Sequence, residues 1–434
     1  MLLIYNARLV DRDIDKKAAI LVNGKKIEGI LTPQAAKKML EDKKIPSYDA
    51  GGCLLLPSFV DMHAHFRDPG QTQKEDIESG CHAAAAGGFG TLVLMPNTNP
   101  VVSSLEAAEK NNKKAFDLGL CQVFQSVSIT QAFDGKTLSH LDTLNPKKVP
   151  LITEDGREVL DSSVMLEGMK KAALKKIIVS CHSEDPFLHD KATELRQKAL
   201  KSTDKKEKIR LLKEAERLLE VAEDVLTFRN IRLAKEAGCH LHLCHVSTAA
   251  CLQAVRLAKK EGVNVTCEIT PHHLGLNTKN DSNQLFIVNP PLRSPENQRA
   301  VIEALRDGSA SCIATDHAPH TLEDKKNGCP GFSGLETAFS LCYKTLVLEN
   351  DFSLNQLSAL MSANPAELLG LHDRGLLAEG YFADFALVDL SAEWTVKGQN
   401  FASRGKYSPL EGKKLPAKIK AAFFRGKLVY ENKE

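Results

Sequence analysis

The sequence contains a closely spaced pair of histidines after an apolar run. His63 and His65 follow Leu54–Val60 within the segment VDMHAHFRDPG. Two residues apart on a β-strand, their imidazoles point to the same side and could bind one metal ion. A solitary H-x-H arises by chance, and such histidines are usually structural. Here Asp61 and Arg67 fall on the same alternating face, which favours a functional site.

Four further segments place side chains of the metal-binding or acidic type after apolar runs. They are TEDG with Asp155, CHSED with His182, HLHLCHVST with His240, His242 and His245, and ATDHAPH with Asp316, His317 and His320. Alternation along a strand puts His240 and His242 on one face and His245 on the other, and it does not choose between the faces. Taken alone, Asp155 is better explained as a turn acid before Gly156 than as a ligand. Together these residues mark the carboxyl ends of successive predicted strands, where barrel enzymes build their sites.

Strand-like and helical segments alternate through the middle of the chain. The apolar runs are Thr91–Met95, Val149–Thr153, Lys176–Cys181, His240–His245, Val263–Ile269 and Ala310–Ala314. An alternation of this kind is typical of parallel sheets whose strands are joined by helices. The length of the alternating part predicts an α/β fold with a (β/α)₈ TIM-like barrel.

Both ends of the chain contain short strand-like segments separated by glycine or polar turns. They are Leu2–Tyr5, Ala7–Val10, Ala19–Val22 and Lys26–Ile30 at one end, and Phe382–Val388, Trp394–Val396 and Ala421–Tyr430 at the other. We expect the two ends to form one small β-rich module. The predicted bounds are 1–54 and 372–434 for the two parts of the module, and 55–371 for the barrel.

The segment His189–Val225 is rich in lysine, glutamate and other helix formers. The preferred interpretation is one or two solvated surface helices. Because the segment follows a predicted barrel strand, it would lie on the active-site face. A lid or a partner contact is the weaker alternative.

The composition is that of an ordinary globular protein. The chain has 434 residues, of which 43% are hydrophobic and 26% charged, and a formal net charge of +2. This charge gives no general attraction to nucleic acid or to an anionic membrane. The N-terminal apolar run is too short for a signal peptide, and no run is long enough to span a membrane. With 11 cysteines and no C-x-x-C, the sequence predicts reduced, buried thiols and a cytoplasmic location.

The order of the motifs resembles that of the amidohydrolase superfamily, and within it the longer, class I type of dihydroorotase. The matching segments are VDMHAHFRDPG, AAAAGGFGTLVLMPNTNP, TEDG, CHSED, HLHLCHVST, EITPHHL, NPPLR, ATDHAPH, GLETAFSL and NPAELLGL. They cover the predicted barrel nearly from end to end. GLLAEGYFADFALVDL extends the resemblance into the C-terminal module, whereas Ser403–Gly412 resembles the closing motif of the family only loosely.

The resemblance implies a site for two zinc ions. The implied ligands are His63, His65 and Asp316 for the first ion, His182 and His245 for the second, and Asp155 as the bridge between them. In many members of the superfamily a carboxylated lysine is the bridge. Here the nearest lysine, Lys148, precedes its strand and so lies at the wrong end, which favours Asp155.

The activity implied by the resemblance is the reversible hydrolysis of the cyclic amide of L-dihydroorotate to N-carbamoyl-L-aspartate, a step of de novo pyrimidine (UMP) synthesis. Metal-activated hydroxide would attack the ring carbonyl. Asp316, as the general base, would take the proton and pass it to the leaving ring nitrogen.

The resemblance assigns the carboxylate of dihydroorotate to three residues. Arg67, whose planar guanidinium suits a carboxylate, would act with Asn97 and His320. Asn289 would border the substrate pocket, together with Arg293. The structural alternatives are an ion pair of Arg67 with Asp68 or Asp76, turn roles for Asn97 and Asn289, and a packing role for His320. For His272 and His273 a structural role is preferred.

Two other functions compete with this interpretation. An allantoinase or dihydropyrimidinase acts on a substrate that lacks the ring carboxylate, so Arg67 together with Asn97 argues against it. A silent dihydroorotase-like scaffold for aspartate transcarbamoylase is expected to have lost metal ligands, and this chain keeps all of them. We expect a small-molecule substrate, a homo-oligomer, and aspartate transcarbamoylase as a candidate partner.

Overall fold

The computed structural model describes residues 1–41, 44–280 and 287–432, and the chain divides into two compact units. The terminal unit comprises Met1–Leu94, Lys110–Phe124 and Cys312–Glu434, and the central unit comprises Met95–Glu109 and Gln125–Ser311. The predicted bounds 1–54, 55–371 and 372–434 stay a prediction, and they include residues 42–43, 281–286 and 433–434, which lie outside the described part of the chain.

The described residues form strands, helices and a few short irregular helical segments. The strands are β1 (Leu2–Val10), β2 (Asp15–Asn23), β3 (Lys26–Leu31), β4 (Ser47–Asp49), β5 (Leu54–Pro57), β6 (Phe59–Ala64), β7 (Phe89–Leu94), β8 (Gln122–Gln125), β9 (Leu151–Thr153), β10 (Ile178–Cys181), β11 (Leu241–Leu243), β12 (Val265–Ile269), β13 (Cys312–Ile313), β14 (Phe385–Thr395), β15 (Lys414–Phe424) and β16 (Lys427–Glu431). The α-helices are α1 (Pro33–Glu41), α2 (Ile77–Ala86), α3 (Leu105–Leu118), α4 (Ser162–Lys175), α5 (Pro186–Lys201), α6 (Lys205–Ala237), α7 (Ala249–Lys260), α8 (Pro271–Gly275), α9 (Pro295–Arg306), α10 (Leu322–Lys326), α11 (Leu335–Cys342), α12 (Leu354–Ser358) and α13 (Asn364–Leu368). The 3₁₀ segments are Gln131–Phe133, Ser139–Thr143 and Gly398–Asn400, and the π-helical segments are Tyr343–Leu348 and Ala359–Ala363.

The terminal unit contains one large sheet built from both ends of the chain. Its strand order is β16-β15-β14-β5-β1-β2-β3, and β4 pairs with β1. β5 runs antiparallel to β14 and parallel to β1, so it joins the N-terminal strands to the C-terminal ones. One face buries a core that includes Leu9, Ile20, Leu55, Phe385 and Phe423. The predicted β-rich module formed by both chain ends is therefore confirmed.

Two strand predictions differ from the structure because of local backbone geometry. Leu2–Tyr5 and Ala7–Val10 are one strand, β1, in which Asn6 has a φ of +55° where the pairing with β2 shifts register. Ala421–Tyr430 is instead a hairpin of β15 and β16. Its two-residue turn is Arg425–Gly426, with φ of +50° and +75°, as a type I′ turn requires.

The apolar run Leu54–Val60 also divides into two strands. β5 belongs to the large sheet, whereas β6 pairs in parallel with β7. The break falls at Ser58, whose N–H donates to the carbonyl of Asp384 at 2.9 Å. Helix α2 connects β6 to β7 and begins with a capping box between Asp76 and Ser79. This β–α–β arrangement places His63 at the carboxyl end of β6.

The central unit contains parallel strands in the order β9-β10-β11-β12. α4 connects β9 to β10, α5 and α6 connect β10 to β11, and α7 connects β11 to β12. The strands are only three to five residues long and almost wholly buried. As a result, Asp155, His182 and His245 each follow a strand by one or two residues and share one edge of the sheet.

The charged segment His189–Val225 falls on two helices, α5 and α6. In the first half of α6 no charged side chain is buried, as predicted, whereas Leu211, Leu212, Ala215 and Leu219 form a buried apolar face. In the second half Glu223 is buried, so the prediction of a solvated surface is wrong at this position. Thr227 and Asn230, which follow the predicted segment on the same helix, are also buried. No helix in the described ranges is long and apolar enough to cross a membrane.

Candidate metal centre

Three of the predicted ligands converge within the terminal unit. His63 lies near the end of β6, His65 follows that strand, and Asp316 follows β13. Oδ1 of Asp316 lies 3.2 Å from Nε2 of His65 and 3.6 Å from Nε2 of His63. One ligand atom of each residue lies within 4.8 Å of the others.

These separations are those of atoms that share one ion. Zinc binds histidine nitrogen at about 2.0–2.1 Å, so two ligand atoms at a tetrahedral angle lie about 3.4 Å apart. His63, His65 and Asp316 meet this spacing with at most small shifts. Two imidazoles and a carboxylate are also a donor set typical of a divalent transition metal.

The backbone around Asp316 is held on both sides. Asp316 has a φ of +48°, in the left-handed region that costs a non-glycine residue energy. On one side the carboxylate of Asp61 accepts from both the N–H and the hydroxyl of Thr315, and from the N–H of His63. On the other side the carbonyl of His317 accepts from the N–H of His65 at 2.8 Å.

Arg67 and His320 lie together in the same unit. Nη2 of Arg67 is 3.3 Å from Nε2 of His320, and its Nη1 is 3.5 Å from Nδ1 of His65. Arg67 is only 8% exposed. The two alternative partners are engaged elsewhere, since Asp68 pairs with Lys114 and Asp76 pairs with Arg404. A surface ion pair therefore does not account for Arg67.

The surroundings of His320 are positively charged. Burial, together with the charges of Arg67, Lys74 and Lys325, lowers the pKa of His320 to about 3. The ring is therefore neutral, and its Nε2 accepts from the guanidinium of Arg67. Such a group of cations suits an anionic substrate.

The other three predicted ligands converge within the central unit. Nδ1 of His182 lies 3.0 Å from Nε2 of His245 and 3.8 Å from Oδ1 of Asp155. These distances also match ligands of one ion. Sequence alternation leaves two faces open for the metal, and the structure brings His245, on one of them, against His182. His240 and His242 lie instead against Thr266 of β12, at 2.8 and 2.9 Å.

Neighbouring polar groups orient the predicted ligands of the central unit. Nδ2 of Asn97 donates to Oδ2 of Asp155 at 2.9 Å. Glu268 accepts from the N–H of His245 at 3.3 Å and lies 2.9 Å from Nε2 of His242. Groups of this kind fix the direction of metal ligands and tune their affinity.

Two acidic neighbours were not singled out as functional by the sequence. Glu154 accepts from the backbone and the hydroxyl of Thr130, yet burial raises its pKa to about 7. Glu184 lies 3.4 Å from Nε2 of His182. Both belong to the motifs TEDG and CHSED, so their nearness to the ligands in sequence was the available signal.

The remaining residues singled out from the sequence have defined neighbours in the central unit. Asn289 contacts His189 at 3.4 Å. His273 bonds Thr270 and the carbonyls of Pro290 and Pro291, which agrees with a structural role. Lys148 is exposed and precedes β9.

Arg293 forms a buried ion pair with Glu223 of α6, at 2.8 Å. Glu223 also accepts from the N–H and the hydroxyl of Ser247, two residues beyond His245. The buried half of α6 therefore supports the segment that carries His245.

The chain has both sequence relatives and structural neighbours among hydrolases of cyclic amides. Residues 54–429 match the model of the amidohydrolase family. The chain belongs to this family. The L-hydantoinase (dihydropyrimidinase) from Arthrobacter aurescens has a TM-score of 0.88 at 25% identity, covering 100% of this chain and 96% of that one. The dihydropyrimidinase from Brevibacillus agri has a TM-score of 0.85 at 24% identity, covering 100% and 95%. The predicted fold class, an α/β barrel with a β-rich module, is confirmed.

Sequence relatives place the chain more finely within the family. The dihydroorotase of Clostridium botulinum is 40% identical over 432 residues, covering 99% of each chain. Those of Lactobacillus gasseri and Staphylococcus epidermidis are 37% and 36% identical, over at least 96% of each chain. The resemblance to dihydroorotases predicted from the motifs is confirmed.

Proposed function

We propose that this chain is a dihydroorotase, which hydrolyses the cyclic amide of L-dihydroorotate reversibly to N-carbamoyl-L-aspartate in pyrimidine synthesis. Relatives of that name match it over nearly the full length. The observation that supports this substrate assignment is the buried pair of Arg67 and His320 beside His65. A cyclic amide with a carboxylate on its ring has the charge that this pair suits.

We further propose that the enzyme depends on zinc. The proposed ligands are His63, His65 and Asp316 for one ion, His182 and His245 for a second, and Asp155 as the bridge. The ligand separations within each unit support this assignment. When bound, zinc supplies Lewis acidity, which lowers the pKa of water and polarises an amide carbonyl.

The side chains of the chain supply the remaining chemistry. Asp316 accepts the proton of the attacking water and delivers it to the leaving ring nitrogen. Arg67 and His320 hold the substrate carboxylate and so orient the ring. Asn97 fixes the direction of the Asp155 carboxylate. Asn97 also helps to hold the substrate carboxylate, and Asn289 borders the substrate pocket.

The structural likeness to hydantoinases supports a second candidate activity, which is the hydrolysis of an uncharged cyclic amide. Such a substrate leaves the Arg67 and His320 pair without an anion. A silent scaffold role is disfavoured, because histidine and aspartate ligands are retained in both units.

The test is turnover by the zinc-loaded protein with L-dihydroorotate, allantoin and dihydrouracil side by side. We expect hydrolysis of L-dihydroorotate and ring closure of carbamoyl aspartate in reverse. Arg67→Met should raise KM for L-dihydroorotate roughly 10- to 100-fold, since a hydrogen bond to a charged group contributes about 1.5–3 kcal/mol. Arg374→Met, which removes a buried arginine bonded to Thr91, is the matched control and should keep the substrate preference.

Preference for allantoin or dihydrouracil would contradict the proposed substrate while leaving the metal site intact. Inactivity on all three, restored by added aspartate transcarbamoylase, would indicate an enzyme that needs this partner. We also propose a homo-oligomer in the cytoplasm, which light scattering and cell fractionation would test.

A further inference from the structure

Two segments far apart in sequence meet beside Asp316. The base loop, residues 316–320, carries Asp316 and His320. The closing segment, Ser403–Arg404–Gly405, lies in the motif that resembles the family only loosely. Both belong to the terminal unit, and Glu75, just before α2, connects them.

Glu75 is fully buried, and donors surround its carboxylate. One oxygen accepts from the hydroxyl of Ser79 and from the N–H of Arg404 at 3.1 Å. The other accepts from the hydroxyl of Ser403 and lies 3.3 Å from Nε2 of His317. Four polar groups from four different residues therefore fix the position of the Glu75 side chain.

The ring of His317 is fixed from both sides. Its Nδ1 accepts from the N–H of Gly334 at 3.1 Å, so its proton is on Nε2 and points to Glu75. The residue directly before His317 is Asp316, whose left-handed backbone needs support. A shift of the His317 ring therefore moves the carboxylate of Asp316.

Gly405 makes the second contact between the two segments. A Cβ at this position would lie 2.6 Å from Cβ of Pro319 and 2.5 Å from the hydroxyl of Ser333. A side chain at this position therefore requires a shift of the base loop, of Ser333 or of the closing segment itself. The carbonyl of Pro319 faces Nε of Arg67 at 3.4 Å, and His320 is the next residue.

We infer that Glu75 and Gly405 are positioning residues for the reaction, and that each controls a different part of it. Glu75 acts through His317 and sets the position of Asp316. Gly405 acts through Pro319 and sets the positions of Arg67 and His320. The assignment of effects to proton transfer and to carboxylate binding rests on the proposed function.

Separate kinetic effects distinguish positioning from general support of the fold. Displacing a proton carrier lowers kcat, whereas displacing a binding group raises KM and weakens ligand binding. Loss of folded protein would instead lower the apparent kcat in every variant and leave KM and ligand affinity unchanged.

The experiment compares Glu75→Ala, Gly405→Ala and the control Asp384→Asn in the zinc-loaded enzyme, below the Tm of each. Asp384 is a buried carboxylate of the same unit that accepts from the N–H of Arg425 and lies away from the base loop in sequence. We expect Glu75→Ala to lower kcat roughly 10- to 100-fold with little change in KM. Gly405→Ala should raise KM and the Kd of orotate about tenfold. Asp384→Asn should lower only Tm.

Hydrogen exchange over residues 314–320 is measured on the same samples and does not depend on the substrate. It should accelerate in Glu75→Ala and Gly405→Ala and stay unchanged in Asp384→Asn. If Glu75→Ala does not fold, Ser403→Ala removes one of its bonds and should show the same pattern more weakly. Unchanged exchange, or equal loss of kcat in both variants at constant KM and orotate Kd, would overturn the inference. Wild-type inactivity on L-dihydroorotate with accelerated exchange would overturn only the proposed function.

Discussion

The proposed ligand sets of the terminal and central units use the same side-chain types but are held differently. In the terminal unit, the buried carboxylate of Asp61 accepts from the backbone N–H just before Asp316, and that of Glu75 contacts the ring of His317 just after it. In the central unit, the ligands follow short neighbouring strands, and Asn97 and Glu268 orient them directly. The first arrangement stabilises an unfavourable backbone conformation, whereas the second orients ligands on a regular sheet.

The difference shows which set depends on distant parts of the chain. Glu75 bonds Ser403, 328 residues later in the sequence. Asn97 and Glu268 lie in the same unit as the ligands they support, and Glu268 is on the strand beside β11. Changes to the terminal set should therefore affect catalysis most, and changes to the central set should appear in metal binding and stability.

The largest expected effect is that of Asp316→Asn. It removes the proposed proton carrier and should lower kcat roughly 10²- to 10⁴-fold, the usual contribution of a positioned acid or base. The fold should remain, as judged by circular dichroism and Tm. Asp384→Asn is the matched control in the same unit. Near-normal turnover by well-folded Asp316→Asn would show that Asp316 of the terminal set is not the general base.

Glu223→Ala tests the support beneath the central set. It leaves Arg293 buried without its carboxylate, which typically costs about 3–5 kcal/mol. Urea unfolding measures the loss in free energy. Glu236→Ala on the same helix breaks only an exposed pair with Arg232 and should cost less than about 1 kcal/mol. Equal losses in the two variants would contradict the structural role of the buried half of α6.

Asn97→Ala tests whether changes near the central ligand set affect metal binding. It removes the amide that fixes Asp155 and should weaken the binding of zinc roughly 10- to 100-fold, as loss of such a supporting group usually does. Competition with a chelator measures the affinity. Asn277→Ala, the same change in the same unit, removes a bond to Gln298 and should leave zinc affinity unchanged. Similar weakening in both would rule out a specific role for Asn97.

The smallest effect concerns Glu336, which accepts from the N–H groups of Ala402 and Ser403 beside the closing segment. Burial raises its pKa from 4.5 to about 7. Between these values the folded protein binds more protons than the unfolded chain, so stability falls as pH rises through this window. Glu336→Gln should flatten this decline in urea unfolding at pH 5 and pH 8. The exposed Glu393→Gln serves as the control, and an unchanged slope in Glu336→Gln would contradict the prediction.

The sequence predicted which side chains lie together in the two proposed ligand sets, because strand ends and residue types are local properties. His63 and His65 follow an apolar run, and Asp316 follows another, so their convergence could be expected from barrel geometry. The choice of His245 needed the family resemblance, since alternation treats both faces alike. The structure brings His245 against His182.

The burial of individual carboxylates could not be predicted from the sequence, for a physical reason. Glu223 stands among many glutamates of α6, and only the contact with Arg293 distinguishes it. Glu75 lies in a polar stretch typical of a surface loop, and its burial depends on Ser403 and His317. Such residues become recognisable only when distant segments have met.

The position of β5 in the sheet determines how long this strand stays unpaired on one side while the chain is being synthesised. Its four residues, Leu54–Pro57, are wholly buried between β1 and β14. β1 is available early in synthesis, but β14 (Phe385–Thr395) is made much later. At about 5–20 residues per second, the second edge of this apolar strand waits roughly 20–70 s for its partner. An open apolar edge pairs readily with other chains. Ribosomes close together on one mRNA therefore bring the unpaired β5 edges of identical chains near one another. Slower initiation of translation, or a chaperone that covers β5, should raise the yield of folded protein.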